Sequence, residues 1–152
     1  MDYTNPKVKI AGEVVQSFIT ISRTLTKFST QNAGSLGLTL QQMGVLNTIG
    51  TFPEITPKEI TDKLSLPKST VSVIVDSLVN LKLIEREISE ENRREIHLTA
   101  TPKGTELSKK SSENALSYKA MISVIEKMAE EEICNLLRIH KEILGNLKAC
   151  KF

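Results

Sequence analysis

The stretch TPKEITDKLSLPKSTVSVIVDSLVNLK, residues 56–82, decides the fold because it contains two helix starts joined by one short connection. Thr56, Pro57 and Glu59 match a capping box with proline at the first helical position, which predicts a short first helix. A second helix is predicted over about 67–81, and two helices joined so closely fit a helix-turn-helix. The inner face predicted for this second helix is Val71, Ile74, Val75, Leu78 and Leu81.

The next residues predict a two-stranded hairpin. LIEREI (83–88) and EIHLTA (95–100) alternate apolar and polar residues, as strands with one buried face do. The polar segment between them contains the adjacent arginines Arg93 and Arg94. A helix-turn-helix followed at once by a hairpin is a winged helix, whose second helix can lie in the major groove. Arginine at a hairpin tip can enter the negative minor groove, so double-stranded DNA is the predicted partner.

Long helices are predicted on the N-terminal side. Residues 7–30 contain an apolar stripe with alternating spacings of three and four, which can pack within the chain or against a second chain. The glycines and asparagine of NAGSLG (32–37) are expected to end this helix. Thr39 and Gln42 form a second capping box that begins the next helix.

On the C-terminal side, Thr101 and Pro102 predict the start of a long helix that reaches about Lys127. Glutamates from Glu130 onward are expected to begin a last helix, because negative charge favours a helix N-terminus. The fold class is therefore mainly α with a small β-hairpin wing, a winged helix-turn-helix flanked by long helices. The predicted domains are a DNA-binding domain at 38–100 and a helical dimerisation region at 7–33 and 101–149.

The composition argues against several classes of protein. No window approaches the roughly 18 apolar residues of a membrane span, and the N-terminus has no apolar core of signal-peptide type, so a cytoplasmic protein is expected. No phosphate loop, nucleophile elbow or metal-bound-water motif is present, so neither an enzyme nor a cofactor is expected. His97 and His140 lack ligand spacing for zinc, and Cys134 and Cys150 leave a redox role open.

Three segments, LTLQQMGVLNTI (38–49), residues 55–87 and NRREIHLTATPKG (92–104), resemble the MarR family of bacterial and archaeal transcription regulators in order and spacing. The resemblance covers roughly 38–107. It implies that Arg94 enters the minor groove and that Arg93 sits near phosphates. It also implies a homodimer built from the first and last helices, with a small aromatic or anionic effector between the dimerisation and DNA-binding parts.

The sequence departs from the family pattern at three places. Asn92 replaces the aspartate expected two residues before Arg94, so a charge partner is lost. Val73 and Ser77 stand where family members often have arginine, which removes expected guanine contacts. Lys82 replaces a glycine just before the wing and must tolerate the geometry of a helix end. Val73 either marks relaxed specificity or contacts the thymine methyl group.

Candidate DNA contacts come from the helix starts and the hairpin. Hydroxyl and ammonium groups at the start of the second helix can contact phosphates or base edges, although such hydroxyls are also common helix caps. The start of the first helix favours phosphate. The full set of candidates is Thr56, Lys58, Lys68, Ser69, Thr70, Ser72, Val73, Arg86, Asn92, Arg93 and Arg94.

The expected function is a transcription regulator that binds a near-palindromic operator as a homodimer. A repressor is favoured, because blocking a promoter requires no contact with the polymerase. The segment from Leu66 to Ala100 nevertheless has five positive and six negative side chains, whereas DNA binders gain affinity by neutralising phosphates. This balance leaves open an alternative, a winged-helix protein-interaction module without specific DNA binding.

Overall fold

The structure, a computed structural model, describes residues 2, 4–88 and 95–150. The chain forms two compact units that meet in sequence between Leu116 and Ser117. The elements, in chain order, are α1 (Pro6–Ser35), α2 (Leu40–Thr51), α3 (Pro57–Leu64), α4 (Lys68–Asn80), β1 (Ile84–Ile88), β2 (Ile96–Ala100), α5 (Pro102–Glu113), α6 (Leu116–Ile125) and α7 (Glu130–Ala149). The predicted winged helix-turn-helix with flanking helices is confirmed. The predicted domain boundaries stay a prediction.

The core of the first unit lies where α2, α3, α4 and the hairpin meet. Leu46, Ile60, Leu78 and Leu98 are buried almost completely, each from a different one of these elements. β1 and β2 pair antiparallel, and the Leu98 amide also donates to the Ile55 carbonyl at 3.0 Å in an isolated antiparallel bridge. The wing is therefore anchored to the segment before α3 as well as to α4.

Side-chain caps fix where most helices of this unit begin. Both predicted capping boxes are confirmed, Thr39 with Gln42 at α2 and Thr56 with Glu59 at α3. Thr101 caps α5 by accepting the Gly104 amide at 3.0 Å. Each box satisfies two amides that a helix start leaves without intrahelical partners. These boundaries follow from local sequence, which is why the sequence predicted them.

The first helix ends inside NAGSLG as predicted, before Gly37 with its left-handed φ of 72°, but it runs further than the predicted 7–30, because α1 continues through Asn32 to Ser35. The buried Asn32 amide donates to the Ser111 carbonyl at 2.9 Å. Asn47 on α2 donates to the Ser111 hydroxyl at 3.0 Å and accepts from Ser108 at 3.0 Å. This polar network connects α1, α2 and α5, and its tertiary contacts outweigh the weak helix propensity of asparagine and glycine.

The single long helix predicted from Thr101 to about Lys127 is wrong. It is two helices, α5 and α6, interrupted at Asn114, whose backbone leaves the helical region with φ −104° and ψ 25°. Serine and asparagine before the break have low helix propensity. Ser111, one turn before the break, belongs to the polar network.

The turn between α4 and β1 is held by the start of α5. Lys82 has a left-handed φ of 58°, a conformation that usually requires glycine. The carbonyls of Leu81, Lys82 and Leu83 accept, respectively, the Lys103 ammonium at 3.1 Å, the Thr101 hydroxyl at 2.9 Å and the Thr101 amide at 3.1 Å. Leu81, predicted on the inner face, is exposed because α4 ends before it.

The second unit consists of α7 and most of α6. Its last helix begins at Glu130 as predicted, with three glutamates in its first turn. No residue of either helix is fully buried, and several large apolar side chains are exposed. Cys134 and Cys150 are free and exposed. Within the described part of the chain, no helix is both long enough and apolar enough to cross a membrane.

Candidate nucleic-acid interface

The exposed face of α4 gathers several of the predicted contacts. Ser69, Ser72, Val73 and Asp76 follow the spacing that places side chains on one helix face, and all four are exposed. The opposite face packs into the core and contains the buried side chains Val71, Ile74, Val75 and Leu78. α4 therefore holds its polar face rigidly outward, as a helix that enters the major groove requires.

The N-terminus of α4 differs from those of its neighbours. Its N-cap is Pro67, and no side chain caps it with a hydrogen bond. The hydroxyls of Ser69 and Thr70, which the sequence also allowed as caps, do not have that role here. Lys68 and Ser69 are exposed and Thr70 is half-buried. An uncapped helix start with a neighbouring ammonium group has the chemistry that binds phosphate.

The start of α3 offers less to a phosphate. The Thr56 hydroxyl donates to the Glu59 carboxylate at 2.8 Å and accepts the Glu59 amide at 3.2 Å. The hydrogen bonds from the Thr56 amide and hydroxyl, together with Lys63 and His97, hold the pKa of Glu59 below its ordinary value. The cap already uses the Thr56 and Glu59 amides, and the Glu59 carboxylate repels a phosphate. Phosphate binding at this helix start would therefore depend on the exposed Lys58.

The two faces of the hairpin separate its charges. Arg86 lies opposite Leu98, on the face that also contains Ile84, and its guanidinium donates to the carboxylate of Asp76 on α4. Glu85 and Glu87 lie on the other face, because successive side chains of a strand alternate. Two of the negative charges in this segment are thus directed away from the hairpin face that pairs with α4.

Beyond Arg86, the last described pair of the hairpin is apolar. Ile88 and Ile96 lie opposite each other on the same face as Arg86, and both are exposed. Asn92, Arg93 and Arg94, the predicted wing-tip contacts, lie outside the described residues. Their roles stay a prediction.

Sequence reasoning missed the part that Asp76 plays. It pairs with Arg86 across the turn that ends α4, so it lies at the junction of the helix and the wing. Opposite charges ten residues apart become neighbours only because the chain reverses direction at Lys82. Ser77, one of the departures from the family pattern, accepts a hydrogen bond from Gln42 at 2.8 Å and is half-buried against α2.

Comparisons with known proteins agree with this geometry. The family model described as MarR family matches residues 36–95, which run from the end of α1 to the start of β2. This range contains the whole helix-turn-helix and the first strand of the wing.

Three solved structures are similar over most of the chain. The multiple antibiotic-resistance repressor of Listeria monocytogenes is 34% identical, with 95% of this chain and 98% of that chain covered and a TM-score of 0.63. Streptococcus pneumoniae FabT, solved in complex with DNA, is 26% identical over 94% and 99%, with a TM-score of 0.74. Staphylococcus aureus MarR in complex with salicylate and kanamycin is 23% identical over 94% and 95%, with a TM-score of 0.78.

Proposed function

The chain belongs to the MarR family of transcription regulators, and from that membership we propose that it binds a near-palindromic DNA operator as a homodimer and acts as a repressor in the cytoplasm. Each α4 enters a major groove, and the half-sites lie about one helical turn, ~34 Å, apart. The wings contact the flanking minor grooves through Arg93 and Arg94.

The observation that carries this proposal is the uncapped, exposed start of α4. Lys68, Ser69 and Ser72 are exposed there, while the other face of the helix is fixed in the core. FabT, which has a similar sequence and fold, was solved on DNA, and this supports the same use of the winged helix here. The ion pair with Arg86 offsets the negative charge of Asp76 beside the exposed face of α4.

Effector control is a further part of the proposal. A small aromatic or anionic ligand is expected to bind between the dimerisation and DNA-binding parts and to favour one spacing of the two recognition helices over the other. A ligand shifts such an equilibrium only through different affinities for the two states. Salicylate in the Staphylococcus aureus protein supports this class of ligand. A thermal-shift and DNA-affinity screen with small aromatic acids tests it, and no effect across a broad panel contradicts it.

The direct test of DNA binding is fluorescence anisotropy with duplex DNA from upstream of the gene, at several salt concentrations. A DNA binder should lose affinity steeply as salt rises, because binding releases counterions from phosphates. Lys68→Ala and Arg94→Ala should each weaken binding and reduce the salt dependence. Lys141→Ala, the same substitution at an exposed lysine of α7 outside the winged helix, is the control. A protein-interaction module would bind no duplex in a salt-dependent manner, and that result would contradict the proposed function and favour the alternative.

A further inference from the structure

Val73 is the apolar exception on the exposed face of α4. Its side chain is 69% exposed, whereas Val71 and Val75 on the same helix are buried. The core therefore does not explain a valine at this position. A single exposed valine is common on protein surfaces, so its neighbours decide what it can bind.

The neighbours of Val73 do not include a free guanine reader. Guanine is most often recognised by a bidentate arginine or lysine. Among the described residues, the exposed face around Val73 consists of Ser69, Ser72 and Asp76, and Lys68 lies at the very start of the helix. Arg86, on the first strand of the wing, donates to Asp76. A carboxylate one turn after Val73 also disfavours the acceptor edge of guanine.

Thymine fits this surface. Of the groups that the four base pairs present in the major groove, the C5-methyl of thymine is the apolar one. A valine has two methyl groups that can contact the thymine methyl. The neighbouring serine hydroxyls can each donate or accept a hydrogen bond, so they suit either base of a pair.

From this surface we infer that Val73 reads a thymine C5-methyl group in each operator half-site, so that this chain prefers an A·T pair where its recognition helix crosses the groove. This inference rests on the proposed function, since it requires α4 to enter the major groove. The inference identifies a base feature that α4 can recognise although the helix contains no arginine.

Replacing thymine by deoxyuridine tests the inference, because uracil keeps every hydrogen-bonding group and lacks only the methyl. The full-length protein first selects its tightest duplex from a randomised pool. Each thymine in one half-site is then replaced singly by deoxyuridine, and the Kd is measured by anisotropy. At one thymine the wild-type Kd should rise about fourfold, the effect expected for one methyl group's burial.

Protein variants identify the residue that reads the methyl. Val73→Ala should bind the thymine duplex more weakly and should lose the sensitivity to uracil at that position. Val73→Thr, which keeps one of the two methyl groups, should retain part of it. The matched control is Val124→Ala on α6, a valine that is 53% exposed outside the winged helix, and it should keep the wild-type uracil profile.

The outcomes separate this inference from the proposed function. If the protein binds its selected duplex specifically but no thymine responds to uracil, the inference is wrong and the proposed function stands. The same holds if Val73→Ala keeps the full uracil effect, because another residue then reads the methyl. If no duplex is bound specifically, the proposed function is wrong, and the inference is then wrong as well.

Discussion

Gly104 lies at a position that has no space for a side chain. It lies in the first turn of α5, where a Cβ would be 1.9 Å from the Leu83 carbonyl oxygen. That oxygen accepts the Thr101 amide at 3.1 Å, so the two backbone segments are in close contact. The glycine lets α5 approach the turn between the recognition helix and the wing.

Gly104→Ala should therefore destabilise the fold by roughly 3 kcal/mol, because the backbone must separate to admit one methyl group. Urea unfolding followed by circular dichroism measures the change. Gly44→Ala on α2, where a Cβ would have nothing within 4 Å, is the control and should be neutral or stabilising by up to about 1 kcal/mol. Equal effects of the two substitutions would show that the close approach is not rigid.

Glu59 gives the start of α3 a dependence on pH. Its pKa is lowered by the hydrogen bonds from Thr56, so it stabilises the fold while ionised. That stability is present above the ordinary carboxyl pKa and is lost as the pH falls through the lower folded value. Wild type should exceed Glu59→Gln in stability at pH 7, and the difference should shrink below about pH 4.5.

Unfolding curves at several pH values, with Asp62→Asn as the control for loss of a negative charge in the same helix, measure this difference. A difference that stays constant from pH 7 to pH 4 would argue against the carboxylate acting through the cap.

At the scale of single residues, the helix caps could be predicted from the sequence, whereas contacts between residues on either side of a turn could not. The boxes of Thr39 and Thr56 follow from residues three positions apart, so the sequence was sufficient. The exposure of Leu81 and the pairing of Asp76 with Arg86 depend on a left-handed residue at Lys82. The family resemblance predicted a helix end at Lys82, but it did not predict which side chains the reversal of the chain would bring together.

Among the elements, α4 and the hairpin are joined by one exposed ion pair. Such pairs contribute little to stability, so Asp76→Asn should change the free energy of unfolding by less than about 1 kcal/mol. Its larger effect should be on DNA. Removing the carboxylate frees Arg86 and deletes a negative charge beside the proposed interface, so affinity should rise and the salt dependence should steepen by about one phosphate contact per protomer.

Anisotropy titrations at several salt concentrations measure both quantities. Glu87→Gln makes the same change of charge on the opposite face of the hairpin, and it should have a smaller effect. If Asp76→Asn weakens binding instead, the ion pair is needed to orient the wing.

The types of most elements were predictable, whereas two of their ends were not. Apolar periodicity indicated the helices, and alternation indicated the hairpin. α1 continues past its expected end because Asn32 finds a buried partner in Ser111. The break at Asn114 between α5 and α6 was not predicted, although serine and asparagine there have low helix propensity.

At the scale of the whole molecule, the first helix shows an apolar surface that the chain itself does not cover. Val14 and Ile21 lie on its predicted stripe, and both are exposed. A large exposed apolar surface indicates an interface, which here is proposed to be with a second copy.

Ile21→Glu should therefore convert the proposed dimer into a monomer and reduce operator affinity, because one half-site alone provides half of the contacts. Sedimentation velocity and anisotropy measure the two effects. Gln16→Glu introduces a charge on the opposite side of the same helix and should leave the dimer intact. A wild-type chain that sediments as a monomer would contradict the proposed assembly.

The polar network of Asn32, Asn47 and Ser111 has a mechanical consequence. It ties the final turns of α1 to α2, and α2 packs directly on α4. The Asn32 bond to Ser111 is buried and the Asn47 bond is partly buried, so sliding one helix past the others would leave polar groups without partners. Under the proposed effector control, a displacement of the end of α1 would be transmitted through these hydrogen bonds to α2, and from α2 to α4.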